Sequence, residues 1–331
     1  MRRREFISLL GGVAMVPTVW PLAARAQATK GIRRVGVLTP YTEEDAAERD
    51  DVAAFTLEFQ RLGWEEGRNF HLEYRAAGFD VEGLQSAAAD LVRLKPDVIL
   101  VVSSPALRAA QGNTDKIPIV FLDVTDPVGQ GFVANLAHPG GNVTGFTIFE
   151  SSLASKWLEL LKEVSPGLAR VAVIFAAEAT PGGWLPLIKS AGPVLGLEVH
   201  EAPVQDDHDI DRAIDVLRTA SGGGVIVLPS SFTMLHRRRI IDFAARERLP
   251  AVYWHRRFVI DGGLMSYAYD QDEQVRLGAS YVDRILNGAK PGDLPVQETN
   301  KFDLVINLKT AKALGIEVSP DLSGRAAELI E

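Results

Sequence analysis

Residues 84–104 read LQSAAADLVRLKPDVILVVSS, and this stretch shows the pattern on which the whole chain is built. Leu84 to Leu94 has the apolar spacing of a helix, and Lys95-Pro96 stops it because the residue before a proline disfavours helical backbone. Val98 to Val102 is then a continuous apolar run of strand length. Such runs are expected where helices cover both faces of a parallel sheet. The stretch therefore predicts one helix-strand unit of an α/β fold.

The same alternation recurs along the chain in two series. The first series predicts strands at residues 35–38, 70–74, 98–102 and 117–122. After a polar, glycine-rich interval, a second series predicts strands at residues 171–175, 197–202, 225–228 and 251–253. Two series predict an α/β protein with two lobes, each a mainly parallel sheet flanked by helices. The tail, with strands at 264–267 and 304–306, fits neither series alone, so we expect the chain to cross between lobes more than once.

Residues 1–26 have the layout of an export signal. They begin MRRREFIS, continue with a modestly apolar run at residues 9–22, and end at Ala24-Arg25-Ala26, which fits a small-x-small cleavage site. The paired arginines resemble a bacterial twin-arginine leader. The apolar run is too short and too often interrupted to span a membrane as a helix. We therefore expect secretion through the inner membrane to the periplasm, with the leader removed.

The charge balance argues against a nucleic-acid partner. The leader contains four arginines and one glutamate, so the formal net charge of −8 becomes −11 without it. Nucleic-acid binding needs cationic groups that displace counterions from phosphates. The one basic cluster, His236 to Arg239, is interpreted as the solvated face of a helix. Cysteine is absent, which excludes disulfides, thiolate metal sites and a lipid-anchored cysteine.

The motifs predict neither catalysis nor a nucleotide or metal site. Gly222–Gly224 follows a helix and precedes a strand, whereas phosphate-binding loops lie between a strand and a helix. His200 and His208 lie near the aspartates of residues 206–209, but an exposed loop before a helix explains this group better than a metal does. The G-x-S-x-G turn of a serine hydrolase is missing. We expect no catalytic residue, no metal and no cofactor.

The candidate binding residues follow from the geometry of parallel sheets. Ligands of open α/β sheets bind beyond the carboxyl ends of the strands, so the residues after each predicted strand are candidates. Hydroxyls there could hold a carboxylate, carboxylates could accept an ammonium group, and aromatic rings could stack on an apolar body. The predicted ligand-binding residues are Thr39, Tyr41, Ser103, Ser104, Asp123, Asp126, Phe146, Ser230, Ser231, Tyr253, Tyr267 and Asp270.

Each of these residues also has a purely structural interpretation. The serines could be helix N-caps, and Asp123 and Asp126 could order their own turn. The aromatic residues could pack in the core or support a hinge. Glu178 and Trp254 are two further candidates, for an ammonium group and for stacking. Taken together, the hydroxyls, carboxylates and rings suit a small zwitterion with an apolar body.

Several segments, taken in order, resemble one known family. They are residues 63–69 (GWEEGRN), 95–99 (KPDVI), 126–129 (DPVG), 135–145 (NLAHPGGNVTG), 262–267 (GGLMSY), 285–291 (ILNGAKP) and 307–315 (NLKTAKALG). Together they resemble the ABC-transporter substrate-binding protein family, whose members include tryptophan/tyrosine-type binding proteins. The match covers nearly the whole chain after the leader.

The resemblance implies a type I periplasmic-binding fold, in which two α/β lobes joined by crossing strands close on a ligand in the cleft. We expect the first lobe to comprise residues 27–147 and 266–300, and the second lobe residues 148–265 and 301–331. The candidate crossings are Thr144 to Phe149, the stretch from Tyr253 to Ser266, and Pro295 to Phe302. Closure of such a hinge would be stabilised by a ligand that bridges both lobes.

The implied function is that of a solute receptor without enzymatic activity. The chain would bind a small organic solute, such as an aromatic or branched amino acid or a related carboxylate, and present the closed form to an ABC permease. We expect a monomer whose partners are this ligand and the transmembrane permease subunits. A periplasmic ligand-sensing module for a signalling receptor is the alternative. An exported hydrolase or isomerase using Asp123 and Asp126 is a third possibility, which would require turnover.

Overall fold

The computed structural model describes residues 31–42, 46–78, 80–177, 183–213, 217 and 222–331. The predicted leader, residues 1–26, lies outside these residues, as does Glu178. Within the described residues, every helix is too short or too polar to cross a lipid bilayer.

Thirteen strands and twelve α-helices alternate along the described part of the chain. The strands are β1 (Arg33–Thr39), β2 (Phe70–Ala76), β3 (Val98–Val102), β4 (Ile119–Val124), β5 (Val143–Thr147), β6 (Arg170–Ala176), β7 (Glu198–Val204), β8 (Gly223–Val227), β9 (Ala251–Tyr253), β10 (Met265–Tyr269), β11 (Gln297–Glu298), β12 (Phe302–Asn307) and β13 (Glu328–Ile330). The helices are α1 (Ala46–Arg61), α2 (Val81–Arg93), α3 (Ser104–Asn113), α4 (Leu153–Val164), α5 (Trp184–Val194), α6 (Asp207–Arg212), α7 (Ser231–Leu235), α8 (Arg237–Arg246), α9 (Arg256–Ile260), α10 (Gln271–Leu286), α11 (Leu308–Leu314) and α12 (Pro320–Arg325), with a 3-10 turn at Pro291–Asp293.

The strands form two separate sheets, one in each lobe. The first sheet has the order β11-β5-β4-β3-β1-β2, and all its pairs are parallel. The second sheet has the order β13-β12-β10-β9-β8-β6-β7, and only the β10–β12 pair is antiparallel. Helices pack on these sheets, as the continuous apolar strands require. The predicted class, two α/β lobes with mainly parallel sheets, is confirmed.

In each sheet, the chain adds strands first on one side of a particular strand and then on its other side. The end of that strand is where a ligand site is expected. In the first sheet, β1 lies between β2 and β3, and in the second sheet β6 lies between β7 and β8. Connections that leave a strand in opposite directions open a crevice at the carboxyl ends. The loops after β1 and β3 and the loops after β6 and β8 are therefore the expected walls of a ligand site.

Apolar side chains on both faces hold the first sheet between its helices. Along β3, Val98 and Leu100 pack into one core cluster, whereas Ile99 and Val101 pack into the other. The alternation follows from the two-residue period of a strand. In the second lobe one large cluster surrounds the sheet and includes the indole of Trp157, which is 1% exposed. The buried strands thus present only their ends to the space between the lobes.

In the part of the chain that the structure describes, the backbone passes between the two sheets three times, at residues 148–152, at Asp270 and at residues 299–301. The first and third passages overlap two of the predicted crossings. The second prediction, from Tyr253 to Ser266, was wrong, because β9, α9 and β10 all belong to the second lobe. The buried run of β10 pairs with β9 and β12, so the boundary at residue 266 moves to Asp270.

Candidate functional site

A cavity of about 550 Å³ lies at the carboxyl ends of the strands, where the two lobes face each other. Residues that follow β1, β3 and β4 supply one wall, and the other wall is formed by Ala176 at the end of β6, Trp184 at the start of α5 and residues that follow β8 and β9. Its size falls within the range of small-molecule sites, roughly 300–1,000 Å³. Seven of the predicted binding residues line it: Tyr41, Ser103, Ser104, Asp123, Asp126, Ser230 and Ser231.

The four serines start two helices at the cavity wall. The Ser103 hydroxyl accepts a hydrogen bond from the Ala106 amide at 3.4 Å, and the Ser230 hydroxyl accepts one from the Thr233 amide at 3.0 Å. Both are therefore N-caps, as the structural interpretation predicted. Ser103 has a backbone φ of +87°, a conformation that residues other than glycine rarely adopt. Ser104 accepts a hydrogen bond from the Gln130 side chain at 3.2 Å, so its hydroxyl belongs to a polar network on the cavity wall.

Asp123 is a half-buried carboxylate at the end of β4. Its backbone has φ +56°, and its amide donates to the Gln274 side chain at 3.3 Å. Burial raises the pKa of Asp123 to about 6, although the neighbouring Tyr269 hydroxyl and the positive charge of Arg257 both lower that pKa. Removing a carboxylate from water disfavours its charged form. A cationic group of a bound ligand would stabilise the charged form of Asp123 and offset the cost of its burial.

Asp126 lies in the next turn and is exposed. Its carboxylate accepts a hydrogen bond from the Gly129 amide at 2.8 Å, so it orders its own turn, as its structural interpretation predicted. A side chain at Gly129 would place its Cβ 2.0 Å from an Asp126 oxygen. Glycine at position 129 therefore lets the Asp126 carboxylate fold over this turn and face the cavity.

Five predicted binding residues do not line the cavity. Thr39 is fully buried, and its hydroxyl accepts a hydrogen bond from the Tyr41 amide at 3.3 Å. Phe146 packs against Tyr281 with ring centroids 4.6 Å apart, in the core of the first lobe. Tyr253 stacks on Phe258 at 4.7 Å in the second core. The structure does not bring these three residues to the cavity, because the strand periodicity turns their side chains into the protein rather than toward the strand ends.

Tyr267 and Asp270 have structural roles near the second crossing. The Tyr267 ring lies 6.0 Å from that of Phe302, away from the cavity, and its carbonyl accepts from the Trp157 indole at 2.8 Å. Asp270 caps α10 by accepting from the Glu273 amide at 3.0 Å and forms an ion pair with Lys301. This ion pair contributes to lowering the pKa of the Asp270 carboxyl, against its burial. Neither side chain is placed to contact a ligand in the cavity.

The cavity also contains residues that the predicted set omitted. Arg108 lies one helical turn after Ser104 on α3, with its guanidinium 4.9 Å from the ring of Phe132. An inspection of the first helical turn after β3, rather than of the strand end alone, would have found it. Trp254, which the sequence analysis named as a further candidate, lines the opposite wall, and its indole donates to the Thr233 hydroxyl at 3.3 Å. Trp184, at the start of α5, had no pattern around it in the sequence that marks a binding residue.

The two walls differ in chemical character. The first-lobe wall carries the carboxylates of Asp123 and Asp126 and the guanidinium of Arg108. The second-lobe wall is largely apolar and aromatic, with Trp184, Leu228, Phe232, Met234 and Trp254. Phe232 is half-buried, whereas Trp184 and Trp254 are buried. Such an arrangement can orient a small molecule that is charged at one end and apolar at the other.

Comparison with known proteins assigns the chain to a family. The family described as "ABC transporter substrate binding protein" matches residues 41–330. The chain belongs to this family. ABC transporter substrate-binding proteins are solute-binding proteins rather than enzymes, they bind small molecules, and they act outside the cytoplasm with the other components of an ABC transporter.

Relatives of known structure or name agree with this assignment. A tyrosine-binding protein of Clostridioides difficile is 28% identical over 293 residues, which cover 87% of this chain and 83% of the relative. A conserved domain protein of Vibrio cholerae superposes with a TM-score of 0.80 at 27% identity, covering 90% of this chain and 100% of the other. A Streptococcus pneumonia ABC domain in complex with L-Trp has a TM-score of 0.80 at 21% identity, covering 91% and 100%. The substrate-binding protein has the type I periplasmic-binding fold of its structural neighbours.

Proposed function

We propose that this substrate-binding protein captures an aromatic amino acid in the cavity between its lobes and delivers it to an ABC importer. The observation that carries the proposal is the pairing of a charged wall on one lobe with an aromatic wall on the other. A ligand that contacts both walls stabilises the closed arrangement, because it makes contacts that the open form cannot offer. The names of two relatives, one tyrosine-binding and one in complex with L-Trp, support this ligand class.

Each end of the ligand has a complementary group in the cavity. Asp123 and Asp126 accept hydrogen bonds from the ammonium group, and the ammonium charge offsets the burial of Asp123. The guanidinium of Arg108 pairs with the ligand carboxylate. The side chain of the ligand packs against Phe232, Trp184 and Trp254, which line the second-lobe wall. The hydroxyls of the serines add hydrogen bonds at the helix starts.

The proposal includes the route to the working compartment. Residues 1–26 act as a twin-arginine-type export signal that is removed, and the protein works in the periplasm as a monomer. There the closed, loaded form docks on the transmembrane permease subunits. Deleting residues 1–26 should retain the protein in the cytoplasm, which cell fractionation of the producing bacterium would show.

Calorimetric titration tests the ligand class and the roles of the two ends. We expect L-tyrosine or L-tryptophan to bind, whereas tyramine, which lacks the carboxylate, and N-acetyl-L-tyrosine, which lacks the ammonium charge, bind far more weakly. At about 100 times its dissociation constant, the ligand should add about 2.7 kcal/mol of stability in a thermal melt. If no aromatic amino acid binds, the proposal is contradicted.

Two substitutions test the residues. Arg108→Met and Asp126→Asn should each weaken binding about 10- to 100-fold, because each removes a charged partner of the ligand. Arg93→Met is the matched control for Arg108, since Arg93 is an exposed arginine at the end of α2 that pairs with Asp90 away from the cavity. If Arg93→Met and Arg108→Met weaken binding equally, the carboxylate site is not at Arg108.

A further inference from the structure

One arginine of the second lobe is buried against the first lobe behind the cavity. Arg257 lies on α9 and its side chain is 3% exposed. Its guanidinium lies 4.2 Å from the centroid of the Tyr41 ring, which belongs to the loop after β1. It also forms an ion pair with Asp51 of α1 at 2.5 Å. Both partners are in the first lobe, so this side chain joins the two lobes directly.

The partners of Arg257 connect it to the cavity. Tyr41 lines the cavity, is 4% exposed, and packs into the core cluster of the second lobe. A cation–π contact attracts the face of the Tyr41 ring to the guanidinium. Asp51 also accepts a hydrogen bond from the Gln271 side chain at 2.7 Å, directly after the crossing at Asp270. The ion pair therefore lies beside the segment about which the lobes would hinge.

Arg257 also acts on the carboxylate in the cavity. Its positive charge lowers the pKa of Asp123, against the effect of burial. Asp123 lies in the first lobe and Arg257 in the second, so the charge reaches Asp123 only while the lobes are together. The position of the Tyr41 ring and the pKa of Asp123 thus both depend on Arg257, although Arg257 does not itself line the cavity.

We propose that Arg257 is a positioning residue for ligand binding, which clamps Tyr41 and Asp51 across the lobes and thereby populates the closed, binding-competent form. Its effect on affinity rests on the function proposed above, whereas its effect on lobe closure does not. When the lobes separate, Tyr41 loses the guanidinium beneath its ring and the first-lobe wall loses its support. Apparent affinity scales with the fraction of protein in the competent form, so loss of the clamp weakens binding without removing a ligand contact.

The test measures lobe closure in the ligand-free protein. The sequence contains no cysteine, so a spin-label pair can be introduced at Glu82→Cys on α2 and Leu235→Cys on α7, two exposed positions next to cavity-lining residues. In Arg257→Met the distance distribution should shift toward longer, open distances. Asp51→Asn, which keeps the buried arginine in place, should shift it in the same direction. A melting curve of each variant verifies that it is folded.

Arg256→Met is the matched control. Arg256 is the neighbouring residue on α9, and its ion pair with Glu328 at 2.8 Å stays within the second lobe. This variant should leave the distances unchanged. Arg257→Lys should recover only part of the closed population, because an ammonium group cannot lie flat on the ring and reach Asp51 with a planar fork. Unchanged distances in Arg257→Met, or an equal shift in Arg256→Met, overturn the proposal.

The affinity measurement uses L-tyrosine as the probe. Its dissociation constant should rise about tenfold in Arg257→Met and Asp51→Asn and stay unchanged in Arg256→Met. An unchanged dissociation constant in Arg257→Met also overturns the positioning role. If L-tyrosine and the other amino acids fail to bind the unaltered protein, the proposed function fails, and the distance measurement still decides whether Arg257 clamps the lobes.

Discussion

Asp123→Asn should make the empty protein more stable at neutral pH while it weakens ligand binding. The pKa of the Asp123 carboxyl is about 6 in the folded protein, against an ordinary value of 3.8. Between these two pH values, the folded protein holds a proton that the unfolded chain has released. The free energy of unfolding therefore falls as the pH rises from about 4 to 6, and stays lowered above pH 6.

The size of the effect follows from this difference. About two pKa units correspond to about 3 kcal/mol, and partial exposure of Asp123 to the cavity reduces this to about 1–3 kcal/mol. Asparagine keeps the shape of the side chain and carries no charge, so it avoids this penalty. At roughly 2 °C per kcal/mol for a chain of this size, the melting temperature above pH 6 should rise by about 2–6 °C.

Thermal melts of both proteins from pH 4 to pH 8 test this reasoning. The stability difference should grow between pH 4 and 6 and be constant above pH 6. Asparagine tolerates positive φ well, so Asp123→Asn could also stabilise the protein through the backbone alone. Asp126→Asn controls for this effect, because Asp126 also has positive φ, at +41°. A gain of equal size in both variants would assign the effect to the backbone. A pH-independent difference, or a loss of stability in Asp123→Asn, would refute the electrostatic argument.

Two further predictions concern the core and a buried histidine. Gly145→Ala should destabilise the protein by about 2–4 kcal/mol in urea unfolding, because its φ is +156° and a Cβ would lie 2.2 Å from the Phe121 carbonyl oxygen. Gly288→Ala, with φ +105° and open space around the site, should cost less, and equal losses would rule out the clash. Burial, with three nearby arginines, holds the pKa of His255 well below 6.5, so unfolding takes up a proton below that pH. Stability should therefore fall by about 1 kcal/mol between pH 6.5 and 5.5 through this residue, and His255→Asn should remove that decrease in paired melts.

Much of the fold could be predicted from local patterns. The predicted helix at residues 84–94 agrees with the C-terminal end of α2 (Val81–Arg93), because Lys95-Pro96 marks that end. The strand β5 was missed, since VTGFT contains two threonines and a glycine and follows a polar interval. Its glycine is required by the close approach of β4, which a single segment does not reveal.

The site could be predicted only in part. Strand ends located Ser103, Asp123 and Ser230 correctly at the cavity. Phe146 was predicted only as a ring that could stack on a ligand, and without β5 the sequence did not show that the strand turns this ring into the core. Tyr281, the partner of Phe146, lies 135 positions further along the chain. The contribution of Arg108 depended on how α3 is oriented at the cavity wall.

Short-range properties of the chain specify its strands, its helix ends, its two α/β series and the kinds of groups at the strand ends. Hydrophobic period, caps and proline positions act over a few residues, so they can be seen in any one segment. Contacts between residues of different lobes cannot be seen in a single segment. Arg257 and Asp51 are 206 residues apart, and they meet because three passages between two sheets bring the lobes face to face. The opposing charged and aromatic walls arise from the same packing, since each wall is complete only when distant loops are held together by the cores of both lobes.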